Sequence, residues 1–251
     1  MRLGLIADIH ANLDALIAVL AELDRARVDL ILCAGDLVCY GAFPNECLDL
    51  LRARGIPSVA GNYDDAVAWD RETASRAPSS PATEGSTSLP GRPEPLKRAA
   101  LRWAQREIST FHRPILRGLP WSMSFRLDEQ RVHILHAGPE HLDEWLSPEQ
   151  PERLAALADA AHAELLVLGH THQQFVWQRG ATTIVNPGAV GRSLDGDPRA
   201  AYAVWDTQTR EATLMRLEYD VAAAAAAIAH SGMPPAIGTL LKQGARRVEE
   251  M

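Results

Sequence analysis

Apolar residues come in short runs along the chain, and nearly every run stops at a cluster of polar ones. Arg2 to Ala7 is a buried-strand pattern that ends at Asp8. Ala15, Leu16, Val19, Leu20 and Leu23 then recur at helical spacing, with Asn12 placed to cap the helix. Leu30 to Ala34 is a second strand ending at Gly35-Asp36, Pro44 to Arg54 a helix closed by Gly55, and Pro57 to Ala60 a third short strand ending at Gly61-Asn62. This β-α-β-α-β alternation predicts a parallel sheet covered by helices.

Residues from about 77 to 95 are rich in Pro, Ser, Thr and Gly and read as a flexible surface loop. Leu96 to Thr110 resumes helical spacing. Beyond Pro114 the pattern turns to strands. Trp121–Leu127 and Arg131–Ala137 form a hairpin around Asp128-Glu129, Gln174–Gln178 and Thr182–Val185 one around Arg179-Gly180, and Ala201–Asp206 pairs with Ala212–Leu217. Between them Pro151–Ala161 reads as a helix and Leu165–Leu168 as a buried strand. Val221 to Leu241 lacks Asp, Glu, Lys and Arg, but His230, Gly232 and the Pro234-Pro235 pair break it, so it reads as a surface helix and turn rather than a membrane span. It belongs to a helical tail over about 220–251, which is the segment placed to pack on a partner in an oligomer. The whole of 1–251 is expected to form one domain.

Composition changes this picture little. The 47% hydrophobic and 23% charged residues exclude global disorder. With 25 basic and 32 acidic residues the net charge is −7, which argues against stable nucleic-acid binding and against an anionic membrane surface. Three cysteines, Cys33, Cys39 and Cys47, make no disulfide framework and point to a reducing, cytoplasmic setting. Nine histidines suggest that positive charge is imported as metal.

The polar clusters after the strands are Asp8-Ile9-His10, Gly35-Asp36, Gly61-Asn62, His136 and Gly169-His170-Thr171-His172. At the carboxyl edge of an α/β sheet such residues converge on a ligand. In an extended Asp8-x-His10 or His170-x-His172 both side chains share a face, and mixed N/O donors suit manganese, iron, zinc, cobalt or nickel. Each residue alone has a plainer reading: Asp8 as a helix cap, Asp36 and Asn62 as turn residues, His136 as a core histidine. His112, His133, His141, His162 and His230 match no motif, and only His141 is close enough to His136 in sequence to suggest a substrate-side acid. Asn186-Pro187-Gly188 and Gly191 read as a structural turn, and Arg192 as either a phosphate partner or solvated surface.

Together, Asp8-Ile-His10, Gly35-Asp36-Leu-Val-Cys-Tyr-Gly41, Gly61-Asn62-Tyr-Asp64, His136 and Gly169-His170-Thr-His172 resemble the calcineurin-like metallophosphoesterases over roughly residues 1–195. With Asn186-Pro-Gly-Ala-Val-Gly-Arg192, the pattern is most similar to the small bacterial and archaeal branch described as YfcE-type phosphodiesterases and diadenosine-tetraphosphatase-like proteins. The resemblance implies an α/β fold of four layers, an α/β/β/α sandwich. It implies two divalent ions, manganese first, with iron, zinc, nickel, cobalt or magnesium as alternatives. One would be held by Asp8, His10, Asp36 and His172, the other by Asp36, Asn62, His136 and His170, with Asp36 bridging. It further implies hydrolysis of phosphodiesters by a metal-activated hydroxide, on a small-molecule or nucleotide substrate, with Asp36, Asn62, Tyr63 and Asp64 as catalytic positions; Asn62 and Tyr63, with His141 and Arg192 from their place and chemistry, are the substrate-side candidates. Many members carry His where this chain has Tyr63, a poorer acid near neutral pH. The alternatives are a phosphomonoesterase, a dinucleoside polyphosphate hydrolase, or a binding scaffold on the same fold.

Overall fold

The first strand, β1 (Arg2–Ile6), is apolar on both faces: Leu3 and Leu5 point one way and Ile6 the other, and all three are fully buried. A strand of that kind needs a layer on each side. In the computed structural model, which describes residues 1–74 and 95–246, β1 is one of the two inner strands of a four-stranded sheet. It pairs in parallel with β2 (Leu30–Cys33), Leu3 opposite Leu30 and Leu5 opposite Leu32. On its other side it pairs antiparallel with β8 (Ala200–Asp206), which carries the edge strand β9 (Glu211–Leu217).

Five further strands make the second sheet, in the order β3 (Ser122–Leu127), β4 (Gln130–Leu135), β5 (Leu165–Val167), β7 (Thr182–Pro187), β6 (Gln174–Arg179). β4, β5 and β7 run parallel, and the antiparallel hairpin strands β3 and β6 close the two edges. Asp128 and Glu129, both at positive φ (44° and 66°), make the two-residue turn between β3 and β4, the conformation that matches strand twist.

The alternation of side chains along the strands sorts the core into layers. Leu3, Leu5 and Leu32 from one sheet meet Val132, Ile134, Leu165, Val167 and Val185 from the other, with Trp205 fully buried among them. Leu166 and Ile184, one residue out of phase, face α6 (Pro151–Ala161) through Leu154, Leu157 and Ala158. Ile6, Ile31 and Cys33 face the helices of the other side. Those helices include α1 (Leu13–Arg25), α2 (Pro44–Ala53), α4 (Pro95–Glu107), α7 (Val221–His230) and α8 (Pro235–Gln243). The result is the expected α/β/β/α sandwich.

Local chemistry explains most boundaries. The Asn12 side chain accepts the Ala15 N–H at 3.2 Å and caps α1, and Asp220 caps α7 through the Ala223 N–H at 2.8 Å. Two segments differ from expectation. Pro57 to Ala60 is not a strand; it makes one parallel bridge, between Ser58 and Cys33, on the outer flank of β2, while β8 returns from the C-terminal part to pair with the other flank of β1. The first sheet is therefore mixed rather than parallel. Two short helices, α3 (Asn62–Ala68) and α5 (Arg113–Arg117), carry too few residues to show a period. The helical tail buries part of its apolar surface inside the chain: Ala224, Ala225, Ile228, Ile237 and Leu241 join the helix-side core. Among the described residues no helix is long and apolar enough to cross a membrane. The loop expected over about 77–95 lies outside the described residues except for Pro95, which opens α4, as do the last residues of the tail, 247–251.

The loops leaving β1, β2 and the Ser58 bridge press together at one sheet edge. Asp8, His10 and Ala11 donate backbone N–H groups to Gly35, Asp36 and Leu37, each at 2.9 Å. Gly61 abuts the second loop so closely that a Cβ would lie 2.3 Å from the Asp36 nitrogen and 2.0 Å from its Oδ1. Gly61→Ala is expected to force these loops apart at a cost of about 2–3 kcal/mol, lowering the melting temperature by roughly 5–10 °C. Gly118→Ala, whose nearest contacts are ordinary at 3.5 Å, is the control and should change stability by less than about 1 kcal/mol. Thermal melts followed by circular dichroism compare the two.

Candidate metal centre

Five of the polar residues singled out by sequence have backbones in the left-handed region: Asp8 (φ 53°), His10 (49°), Asp36 (54°), His170 (68°) and His172 (60°). Asp8-x-His10 and His170-x-His172 are thus not extended, and their side chains converge for another reason. Each strand must turn sharply over the sheet edge, and a left-handed residue at the turn swings its side chain back across that edge. Such conformations cost about 1–2 kcal/mol each for residues other than glycine, so the surrounding contacts must hold them. They do: besides the backbone bonds between the first two loops, the Gly191 N–H reaches the Asp8 carbonyl at 2.9 Å. Asn186 grips the histidine loop by donating to the Gly169 carbonyl (2.7 Å) and the Thr171 hydroxyl (3.1 Å). The Asn186-Pro187-Gly188 turn is therefore structural.

The imidazoles are oriented from behind. His10 and His172 direct Nδ1 at the carbonyls of Val38 (3.3 Å) and Arg192 (2.5 Å), which makes Nδ1 the donor nitrogen of each ring. Their Nε2 atoms then present lone pairs to one another at 3.1 Å, with Asp8 Oδ1 3.4 Å from that of His172 and 3.9 Å from that of His10. Asp8 Oδ1 is buried and accepts no hydrogen bond. Three acceptors without a donor in a buried site are strongly unfavourable. A cation among them removes the conflict, and Asp8, His10 and His172 have metal-ligand spacing.

A second group adjoins the first. His136 donates Nδ1–H to the Ala34 carbonyl at 2.7 Å and sets Nε2 3.0 Å from Asn62 Oδ1 and 3.5 Å from Asp36 Oδ2. His170 Nδ1 lies 3.1 Å from the same Asn62 oxygen. Asp36 commits Oδ1 to the Tyr63 N–H (2.9 Å), and its Oδ2 stands between His136 and His10, 3.7 Å from the latter. Asp36 thus faces both groups. Asp8 does too, since Asp8, Asp36 and His136 form the second triad with ligand spacing.

Burial and charge act in opposition here. Burial pushes the His10 and His170 imidazoles down to about 3 and about 4, which keeps their nitrogens unprotonated at neutral pH. Burial also opposes ionisation of Asp36 and Asp8, but His136 beside Asp36 and His172 beside Asp8 outweigh it and hold both carboxyls below their ordinary value. Burial disfavours the His136 imidazolium as well; the Asp36 carboxylate overcomes it and raises that group to about 9.

Three expected site residues are placed differently. Asp64 is fully buried and accepts the N–H groups of Leu37 (2.8 Å), Val38 (3.2 Å) and Gly61 (2.9 Å). It clamps the loops and turns no oxygen toward a substrate. Burial and the nearby Asp36 charge raise it to about 7. His141 sits half-exposed in the segment after β4; among the described residues no hydrogen bond, ion pair or ring contact ties it to the cluster, and Trp145 instead meets His170 edge-on at 6.1 Å. Tyr63 is at the site, but its hydroxyl bonds that of Tyr40 at 2.5 Å, and burial raises it well above the usual tyrosine range. It is a neutral phenol. Tyr40 itself, 5.2 Å from the His10 ring in an edge contact, carries no sequence signal beyond its place in the Gly35–Gly41 run.

Comparison with known proteins agrees with this geometry. A solved metallophosphoesterase from Sphaerobacter thermophilus is 33% identical, with a TM-score of 0.74 over 98% of this chain and 99% of that one. A hypothetical protein from Pyrococcus horikoshii OT3 shares the fold, with a TM-score of 0.82 at 18% identity over 98% and 99% of the two chains. An uncharacterized protein of Methanocaldococcus jannaschii is 29% identical over 96% of this chain and 98% of its own length. The calcineurin-like phosphoesterase superfamily domain matches residues 1–210, which span the Asp, Asn and His residues of the cluster, and the chain belongs to that superfamily.

Proposed function

We propose that the protein is a metal-dependent phosphodiesterase with a dinuclear centre. The observation that carries this is the confrontation of His10 Nε2, His172 Nε2 and the unpartnered Asp8 Oδ1, beside a second set of acceptors on the far side of Asp36. Asp8, His10, Asp36 and His172 would hold one divalent ion; Asp36, Asn62, His136 and His170 would hold the other. Such ions supply Lewis acidity toward phosphoryl oxygens and lower the pKa of bound water. The nitrogen and oxygen donors fit manganese first, with iron, zinc, nickel, cobalt or magnesium as alternatives. Cysteine plays no part in this ligand set, and the three cysteines are buried and unpaired, which accords with a reducing cytoplasm.

The rest of the chemistry falls to the chain. Backbone carbonyls from Val38, Ala34 and Arg192 fix the tautomers of three imidazoles, so their lone pairs are aimed before anything binds. Tyr63 stands where the family resemblance places an imidazole. A neutral phenol donates a hydrogen bond but gives up its proton reluctantly near pH 7. Esters whose leaving group departs without full protonation are therefore the favoured substrates, among them aryl and nucleotide phosphodiesters.

Metal-stripped protein should not hydrolyse bis-p-nitrophenyl phosphate, and Mn²⁺ should restore turnover. Absence of turnover with every metal tried would overturn the proposal. Asp36→Asn and His136→Ala should each lower activity by at least about 100-fold and reduce bound metal measured by plasma mass spectrometry. Full activity with full metal content in either variant would place the centre elsewhere. Across a series of aryl diesters the rate should fall steeply as the pKa of the leaving phenol rises, since Tyr63 supplies little protonation; a flat dependence would show an efficient acid at the site.

A further inference from the structure

Arg192 is 7% exposed, and its charge has no acid to answer it. Among the described residues no carboxylate lies within ion-pair distance of its guanidinium. The nearest acid in sequence, Asp195, is already engaged by Arg216 and by the Ser193 hydroxyl. What the guanidinium does meet is a ring face: its carbon lies 4.2 Å from the centroid of Tyr40. Cation–π contact offsets only part of the desolvation of a buried charge.

The residue is also held firmly. Its carbonyl accepts the His172 Nδ1–H, and the preceding Gly191 N–H reaches Asp8. A Cβ on Gly191 would lie 1.7 Å from the Ile9 carbonyl, so the backbone here touches the Asp8–His10 turn. Tyr40 is pinned from its other end, with its hydroxyl on that of Tyr63 and its ring against His10. Arg192, Tyr40 and Tyr63 thus form a row along the His10–His172 corner of the cluster. A nearly buried cation, fixed at its backbone, braced on an aromatic face and lacking an anion, is arranged to receive one.

We propose that Arg192 is the anchor for the phosphoryl oxyanion of the substrate, and that Tyr40 is a positioning residue that holds the guanidinium toward the cluster by its ring face. Arginine suits this task because its planar fork donates two parallel hydrogen bonds to phosphate oxygens. The Tyr40 hydroxyl has a separate part, orienting Tyr63. The inference rests on the phosphoesterase reading and adds to it the groups of the chain that select a phosphate.

The test uses the Mn²⁺-loaded full chain, with inorganic phosphate as the calorimetric probe and bis-p-nitrophenyl phosphate as substrate. Arg192→Gln should weaken phosphate binding and raise KM by tenfold or more, with metal content at the wild-type level. Its melting temperature should hold or rise, because an unanswered buried charge is removed; a structural arginine would give the opposite. Arg192→Lys should recover part of the lost affinity. Tyr40→Leu should lower phosphate affinity in the same direction as Arg192→Gln, and Tyr40→Phe, which keeps the ring, should recover most of that loss. Phosphate affinity and KM within twofold of wild type in Arg192→Gln would overturn the anchor. Equal losses in Tyr40→Phe and Tyr40→Leu would overturn the role of the ring. If the wild-type protein neither binds phosphate nor turns over the diester, the phosphoesterase reading itself fails and takes the anchor with it.

Discussion

Everything at the sheet edge is arranged around acceptors that cannot satisfy one another. Two carboxylates, four imidazoles and an amide oxygen converge in a volume from which water is largely excluded, and the outward nitrogens of three of the imidazoles are already committed to backbone carbonyls. Lone pairs 3.1 Å apart repel, and a buried carboxylate oxygen without a donor is among the most unfavourable features a folded chain can carry. In the protein alone, protonation of His136 relieves part of this. Divalent cations at the proposed centre would relieve the rest, which would couple metal binding to the stability of this edge.

The scaffold has to be stiff enough to hold that conflict. Five of the seven converging residues sit at positive φ, and left-handed turns of this kind persist only where neighbours over-determine them. Here the neighbours are three loops bonded to each other by their backbones, with Asp64 reaching into two of them and glycines at the points of closest contact. Two sheets packed face to face through Leu3, Leu5, Ile134, Val167 and Trp205 supply the rigid base. Strain at the edge is offset by ordinary burial beneath it.

Arg192 extends the same logic to the opposite charge. The chain keeps a cation without a carboxylate partner a short way from acceptors without a donor, separated by the rings of Tyr40 and Tyr63. Left to pair locally, the two would cancel. Held apart by the aromatic rings, they would present complementary halves of the proposed phosphate site.

The elements and the ligand set were readable because they depend on local regularities: period-two and helical patterns, Asn12 at a cap, polar residues directly after apolar runs. Asp8, His10, Asp36, Asn62, His136, His170 and His172 were all identifiable by residue type and place. The sequence could not reveal that the 8–10 and 170–172 turns are left-handed rather than extended. Nor could it reveal that Asp64 clamps backbone, that His141 stands aside, or that Tyr40 braces Arg192. Each of these depends on which remote segment arrives alongside. β8 returns from the C-terminal part to the flank of β1, and the Val190-Gly191-Arg192 segment before it reaches the turn after β1. Residue type determines which chemistry is available locally. Only the pairing of distant strands decides which charges are answered by neighbours and which are left for a ligand, because that balance is struck between groups more than a hundred residues apart.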